Sequence, residues 1–383
     1  MEAEILHSGF DGLRVTIETD IPPALREKLF AAKAEAIETN QEVILTFRDI
    51  SLGVRRSGGM AFSAHTGEFG AEWYFLDPEN RPKNNPGITV DFRAFLLATG
   101  GLRAAREHLD TCLTAFGLRW GEHQLRPTRV DFAIDFLAPW FEPDRAHLIL
   151  PPQAKAVEFT GPADTETHAK GVRVTGLRAG KTESRQLVIY DKRTEAIQKG
   201  KVGAWGKIWN ATRASMGKPP LDMKDPDQSR VWRFELRAGR KQLRDKFDIR
   251  GWSDLEASIG DVFQHFCKSI RYCIPITDQN RARWPTHELW TAVEQTIADN
   301  LQDSIAGVLP RDVKEANRQE HMEMLDRQLL GLFVSRAAAS GIKTEGFPDF
   351  LADHILTLLR ASDGHPVELD TRIAKAVARY RWT

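Results

Sequence analysis

Apolar and polar residues alternate over short runs from residue 12 to about 239, each bounded by Gly, Pro, Asn or Asp. A period of two is the signature of strands that bury one face. It predicts strands at 12–19 (GLRVTIET), 42–49 (EVILTFRD), 72–76 (EWYFL), 87–92 (GITVDF), 128–136 (TRVDFAIDF), 155–160 (KAVEFT), 185–192 (RQLVIYDK) and 231–238 (VWRFELRA). Helical spacing appears between them at 22–38 and 103–116. Beyond about residue 250 glycine thins out, and helical periodicity fills 254–273, 286–306, 311–339 and 347–360. The pattern predicts an α+β sheet domain with flanking helices over 1–250, followed by an all-helical region over 251–383. Residues 199–229, with GKVGAWGK, GKPP and DPDQS, read as a long irregular connection inserted in the sheet domain.

Splitting three of these runs by strand alternation separates two faces. In the first, Val130, Phe132, Ile134 and Phe136 point one way, and Arg129, Asp131, Ala133 and Asp135 the other. In the second, Leu187 and Ile189 oppose Gln186, Val188, Tyr190 and Lys192. In the third, Trp232, Phe234 and Leu236 oppose Arg233, Glu235 and Arg237. Aligning the apolar faces in one sheet collects Arg129, Asp131, Asp135, Tyr190, Lys192, Arg233, Glu235 and Arg237 on the opposite surface. That surface reads in two ways. It is either the solvated side of a half-covered antiparallel sheet or a site where acids hold a hard divalent cation through oxygen ligands. Tyrosine is scarce, with four against 20 Phe. Tyr190 is therefore either an ordinary strand aromatic or a nucleophile, a phenol that needs a cation beside it to attack a phosphodiester.

Composition narrows the class. At 383 residues the chain suits two domains, or one with a large extension, and its 42% apolar and 28% charged residues are those of a globular protein. No apolar run is long enough to span a membrane, and the acidic start MEAEILHSGF argues against a signal peptide, so a cytoplasmic location is expected. Cys112, Cys267 and Cys273 lack metal-ligand spacing and read as buried thiols. The sequence contains no His-hydrophobic-His run. GLRAGKT (176–182) has three residues between its glycines where a phosphate loop needs four, and a strand follows it, so it reads as a turn. His265 and Cys267 read as helix core.

The blocks PTRVDFAIDF (127–136), RQLVIYDKRTE (185–195) and VWRFELRAGRKQL (231–243), in this order, resemble the Rep_trans family, the rolling-circle replication initiators of plasmids; relaxases of some conjugative elements are related. The resemblance implies an atypical HUH-like antiparallel sheet domain and a site-specific DNA nickase. Its implied nucleophile is Tyr190, forming a 5′-phosphotyrosine link and freeing a 3′-OH that primes synthesis. Asp131, Asp135 and Glu235 are its implied ligands for Mg²⁺ or Mn²⁺. Lys192, Arg129 and Arg233 are implied phosphate contacts or supports of the ligands, and Arg193, Arg237, Arg240 and Lys241 DNA contacts. Origin DNA, duplex and single-stranded, is the implied partner, with a host helicase and a second copy of the chain as further expectations and no membrane. A relaxase, or a DNA-binding regulator that does not cleave, remains an alternative on the same fold.

Lys+Arg and Asp+Glu balance at 53 each, which speaks against a nucleic-acid partner until the charges are located. Residues 161–283 carry about 25 basic against about 15 acidic side chains, so the remainder is acidic. The tryptophans Trp205, Trp209, Trp232 and Trp252 interleave with this basic stretch, a pattern that suits a single-stranded DNA track, although Trp232 falls on the core face. The basic tail from Arg372 to Arg381 reads as a solvated helix face or a phosphate contact. For the C-terminal helices the expectation is target-duplex recognition or self-association.

Overall fold

The structure is a computed structural model and describes residues 3–58, 61–80, 82, 85–152, 154–160, 174–299, 301, 304–361, 370–371, 373–374 and 376–377. The basic tail lies largely outside the described residues.

The first half holds β1 (Glu4–Glu18), α1 (Pro23–Thr39), β2 (Val43–Phe47), β3 (Ile50–Val54), β4 (Phe62–His65), β5 (Ala71–Phe75), β6 (Gly87–Phe92), α2 (Ala94–Phe116) and β7 (Leu125–Leu137). Then come β8 (Leu148–Ile149), β9 (Ala156–Thr160), β10 (Val174–Gly180), β11 (Arg185–Asp191), α3 (Lys192–Gln198), α4 (Val202–Ser215), α5 (Pro226–Ser229) and β12 (Val231–Gly239). The chain continues through α6 (Trp252–Ser269), β13 (Arg271–Tyr272), α7 (Glu288–Ala298), α8 (Pro310–Ala339) and α9 (Phe347–Ala361). Eleven of the described strands form one sheet in the order β2-β3-β4-β5-β6-β1-β7-β12-β11-β10-β9. Its neighbours all run antiparallel. The α+β architecture, an antiparallel sheet with flanking helices and then a helical C-terminal region, is the one the periodicity predicts.

The apolar face of the sheet carries the main core. Phe132 packs on Phe263 of α6 at 5.8 Å between ring centroids, Phe234 on Trp290 of α7 at 6.4 Å, and Trp73 on Phe116 of α2 at 5.2 Å. Trp252, Phe263 and Trp290 thus belong to the same buried cluster as the sheet, and packing continues across residue 250 without a break. The opposite face has a second, smaller cluster at one end, where Trp205, Ile208 and Trp209 of α4 meet Leu6, Phe95, Val231 and Val313.

This second cluster corrects the reading of 199–229 as an irregular connection. Trp205, Ile208 and Trp209 fall at i, i+3 and i+4 and form the buried stripe of α4. Glycines 203 and 206 in the same stretch obscure that stripe in the sequence, because glycine is a poor helix former. GLRAGKT is the end of β10 and a turn, with Gly180 at φ 93° leading into β11. The expected set of strands lacks β3, β4, β8, β10 and β13; all but β10 are short, at two to five residues. Cys112, Cys267 and Cys273 are buried free thiols.

Candidate functional site

The three predicted blocks become adjacent strands. In β11, β12, β7 and β1 one row across the sheet reads Tyr190, Arg233, Asp135, His7. The next row on the same face is Val188, Glu235, Ala133, Gly9, and the third Gln186, Arg237, Asp131, Gly12. Antiparallel pairing keeps side chains of one row on one face, so the alignment assumed from alternation is the observed one. Arg129, Asp131, Asp135, Tyr190, Arg233, Glu235 and Arg237 share this face.

The face is not simply solvated, because α4 covers the Tyr190 end. Arg233 is fully buried there. Its Nε and Nη2 donate to Asp135 Oδ1 and Oδ2 at 2.6 and 2.8 Å, and its Nη1 donates to Asp11 Oδ1 at 2.5 Å. Trp205 lies 4.2 Å from the guanidinium carbon, ring face toward it. Burial works against the charge, but Asp11 and Asp135 more than offset it and hold Arg233 firmly protonated. Asp135 is equally enclosed, and its Oδ2 also accepts from Trp209 Nε1 at 2.8 Å. Arg233 and Asp135 therefore form a desolvated clamp that joins β12, β7 and α4. His7 stacks edge-on against Trp205 at 5.7 Å, and burial lowers its pKa to about 4 although Asp135 pulls it upward.

Tyr190 sits at the margin of this cover, partly buried, and its hydroxyl makes no hydrogen bond among the described residues. Burial pushes its pKa well above the ordinary phenol value, with Arg233 acting in the opposite direction. Directly after β11, Asp191 Oδ1 accepts from Thr194 N at 2.9 Å and turns the strand into α3. That cap swings Lys192 inward. Its Nζ lies 5.8 Å from the Tyr190 ring centre, 4.5 Å from the Trp205 ring centre and 2.7 Å from Glu195. Burial, then Arg233, lowers the Lys192 pKa, against the pull of Glu195.

The three acids expected to hold a divalent cation do not converge. Both oxygens of Asp135 are committed to the clamp. Asp131 accepts from Nε and Nη2 of Arg129, with Nε at 2.9 Å from Oδ1. Glu235 accepts from Arg237 Nε at 2.7 Å. Among the described residues no group of three His, Cys, Asp or Glu side chains is placed to hold a metal ion. As arranged, the donor set does not fit Mg²⁺ or Mn²⁺, because arginines occupy the positions a cation would take. Asp131 is nonetheless poorly neutralised: burial raises its pKa to about 7 against Arg129, and Glu235 adds to the rise. Gly12 faces it so closely that a Cβ there would lie 2.5 Å from Asp131 Oδ2.

The other predicted DNA contacts scatter. Arg237 is on the shared face. Arg193 turns away and donates to Met223 O at 2.6 Å. Arg240 and Lys241 are exposed at the far end of β12, with Lys241 Nζ 3.0 Å from Glu183. Trp205, Trp209, Trp232 and Trp252 are each at most 2% exposed, which corrects their reading as a stacking track: they are core. His265 Nε2 accepts from Arg185 Nη1 at 2.9 Å at the edge of that core.

Sequence reasoning missed His7, Asp11, Trp205 and Trp209 as parts of the site. The first two lie in β1, whose register against β7 shifts between Ile5 and His7 and again between Phe10 and Gly12. Each irregularity breaks the period of two, so the alternation is legible only from Gly12 onward.

No protein-family model matches the chain, and no curated protein does. Among solved structures, a rolling circle replication initiator protein from Geobacillus stearothermophilus aligns with 78% of this chain and 99% of its own, at a TM-score of 0.38 and 14% identity. A likeness that distant assigns no function. Among the described residues, no helix is long and apolar enough to cross a membrane.

Proposed function

We propose that the chain is a DNA strand transferase of the rolling-circle initiator type, in which Tyr190 attacks one phosphodiester of its origin. The reading is supported by the three ordered blocks and carried by one observation: the Tyr190 hydroxyl has no hydrogen-bond partner among the described residues and lies beside a buried lysine and a charge-clamped arginine. In the step, the Tyr190 Oη–phosphorus bond forms as the bond from phosphorus to the 3′ oxygen breaks. The phenol releases a proton and the 3′ oxygen takes one up. Lys192 supplies positive charge near the transferring phosphoryl group and favours the phenolate. Arg233 acts through Trp205 and the Asp11–Asp135 clamp as a positioning residue, since its guanidinium is enclosed. Arg129 and Arg237, both partly exposed, are the phosphate contacts on this face.

Divalent-metal dependence is an expectation of the acids on the shared face and of the family resemblance. Mg²⁺ or Mn²⁺ would have to displace Arg129 and Arg237 from Asp131 and Glu235, so no step is routed through it. The opposing observation, that each block acid already has an arginine, favours the second reading of a DNA-binding regulator that does not cleave. Incubation with supercoiled DNA carrying the element's own origin, in EDTA and with Mg²⁺ or Mn²⁺, separates the two. Nicked circles support strand transfer, whereas binding without nicking under every condition supports the regulator.

A further inference from the structure

A groove of about 1000 Å³ opens at the ends of β1, β7 and β12 remote from Tyr190. Arg126, Arg240, Arg244 and Arg250 line it. Its acids are already engaged: Glu18 pairs with Arg126, Glu122 with Arg106, and Asp254 Oδ2 accepts the backbone N–H groups of Arg250 and Gly251 at 2.9 and 3.0 Å. Arg240 is exposed and, among the described residues, has no acid partner; Arg244 touches only its neighbour Asp245, at 3.8 Å. The groove therefore presents uncommitted positive charge.

The backbone holds these two arginines in place. Lys241–Lys246 form a π-helical turn, a rare geometry that recurs at functional sites. The turn is anchored at its start. Gly239 N and Lys241 N donate to Ser184 O and Glu183 O at 2.7 and 2.8 Å, and Gln242 and Leu243 are buried. Gly239 packs against the loop before β11 so tightly that a Cβ would come within 2.0 Å of Thr182 O. Arg240 and Arg244, four residues apart, are left on the groove side.

We propose that this groove is a second DNA contact that takes the phosphodiester backbone of the duplex flanking the attacked strand. It rests on the strand-transfer reading for its link to Tyr190. β12 runs from Arg233, paired with Tyr190, to Gly239 beside the groove. Six strand residues span roughly 20 Å, or about six base steps at ~3.4 Å each. Phosphates some six base pairs from the attacked position would then meet Arg240 and Arg244.

The test is the salt dependence of duplex binding, read by fluorescence anisotropy with a labelled duplex of arbitrary sequence and, in parallel, a labelled single strand. R240Q/R244Q is expected to reduce the slope of log affinity against log salt by about two for the duplex, one for each phosphate that the pair no longer neutralises. R240K/R244K should restore it, which separates missing charge from a damaged fold. An unchanged duplex slope, or a reduction confined to the single strand, overturns the proposal. Covalent adduct formation by the unmodified chain is scored separately. A reduced duplex slope without any adduct would leave the groove standing and remove the strand-transfer reading.

Discussion

Replacing Asp135 with Asn distinguishes a charge clamp from a metal ligand. The carboxylate is fully buried and accepts three hydrogen bonds, two from Arg233 and one from Trp209. Asparagine keeps the shape but offers one acceptor oxygen and turns an NH₂ group toward a donor. Arg233 is then left with Asp11 alone as its counter-charge. Breaking one side of a buried ion pair costs about 3–5 kcal/mol, a large share of a total stability of about 5–15 kcal/mol. Asp11→Asn should cost less, roughly 1–2 kcal/mol, because Asp11 is partly exposed and water can replace it. Urea unfolding followed by tryptophan fluorescence in EDTA measures both, since Trp205 and Trp209 report on the clamp directly. If Asp135 instead served a cation, D135N in EDTA would be neutral or stabilising through relief of repulsion among acids. A loss of less than about 1 kcal/mol would refute the clamp.

Two further perturbations follow from the same geometry. Burial depresses His7 and His108 to about 4, so each contributes stability that is present above the unfolded histidine value and lost as pH falls toward 4. Asp131, raised to about 7, acts in the opposite sense and loses its contribution as pH rises toward 7. Between pH ~5 and ~6 these groups leave a net difference of about one proton, or ~1.4 kcal/mol per pH unit. D131N should roughly double that slope in chemical denaturation across the window, and an unaltered slope would show that Asp131 is ionised normally. At the C-terminus, Leu329, Leu330, Leu332 and Val334 of α8 and Leu356 and Leu358 of α9 are each about half exposed or more. Exposed aliphatic side chains gathered on two adjacent helices mark an interaction surface. A second copy is the expected cover. Light scattering should give a dimer mass that L329E/L332E halves; a monomeric unmodified chain would refute it.

The legible part of this fold was the part governed by local period. Alternation alone placed Tyr190, Arg233, Glu235, Asp131 and Asp135 on one face, and the observed register agrees row by row. What periodicity could not convey was which charges meet. Three acids on one face resemble a cation site until the register puts Arg233 opposite Asp135, and Arg129 and Arg237 beside Asp131 and Glu235. The burial of Lys192 and Arg233 was hidden as well, because it depends on α4, whose glycines disguised a helix carrying Trp205 and Trp209. Within the site each block acid is paired with an arginine, whereas Arg240 beyond β12 has no acid partner among the described residues.

Trapping the covalent product tests the proposal that Tyr190 is the nucleophile. The protein is incubated with single-stranded DNA spanning its origin and digested with trypsin, and the DNA-linked peptide is sequenced by mass spectrometry. The expected result is a 5′-phosphate carried on the peptide containing Tyr190, and no adduct from Y190F, which still binds the DNA. An adduct on Tyr74, Tyr272 or Tyr380, or undiminished adduct from Y190F, would contradict the account.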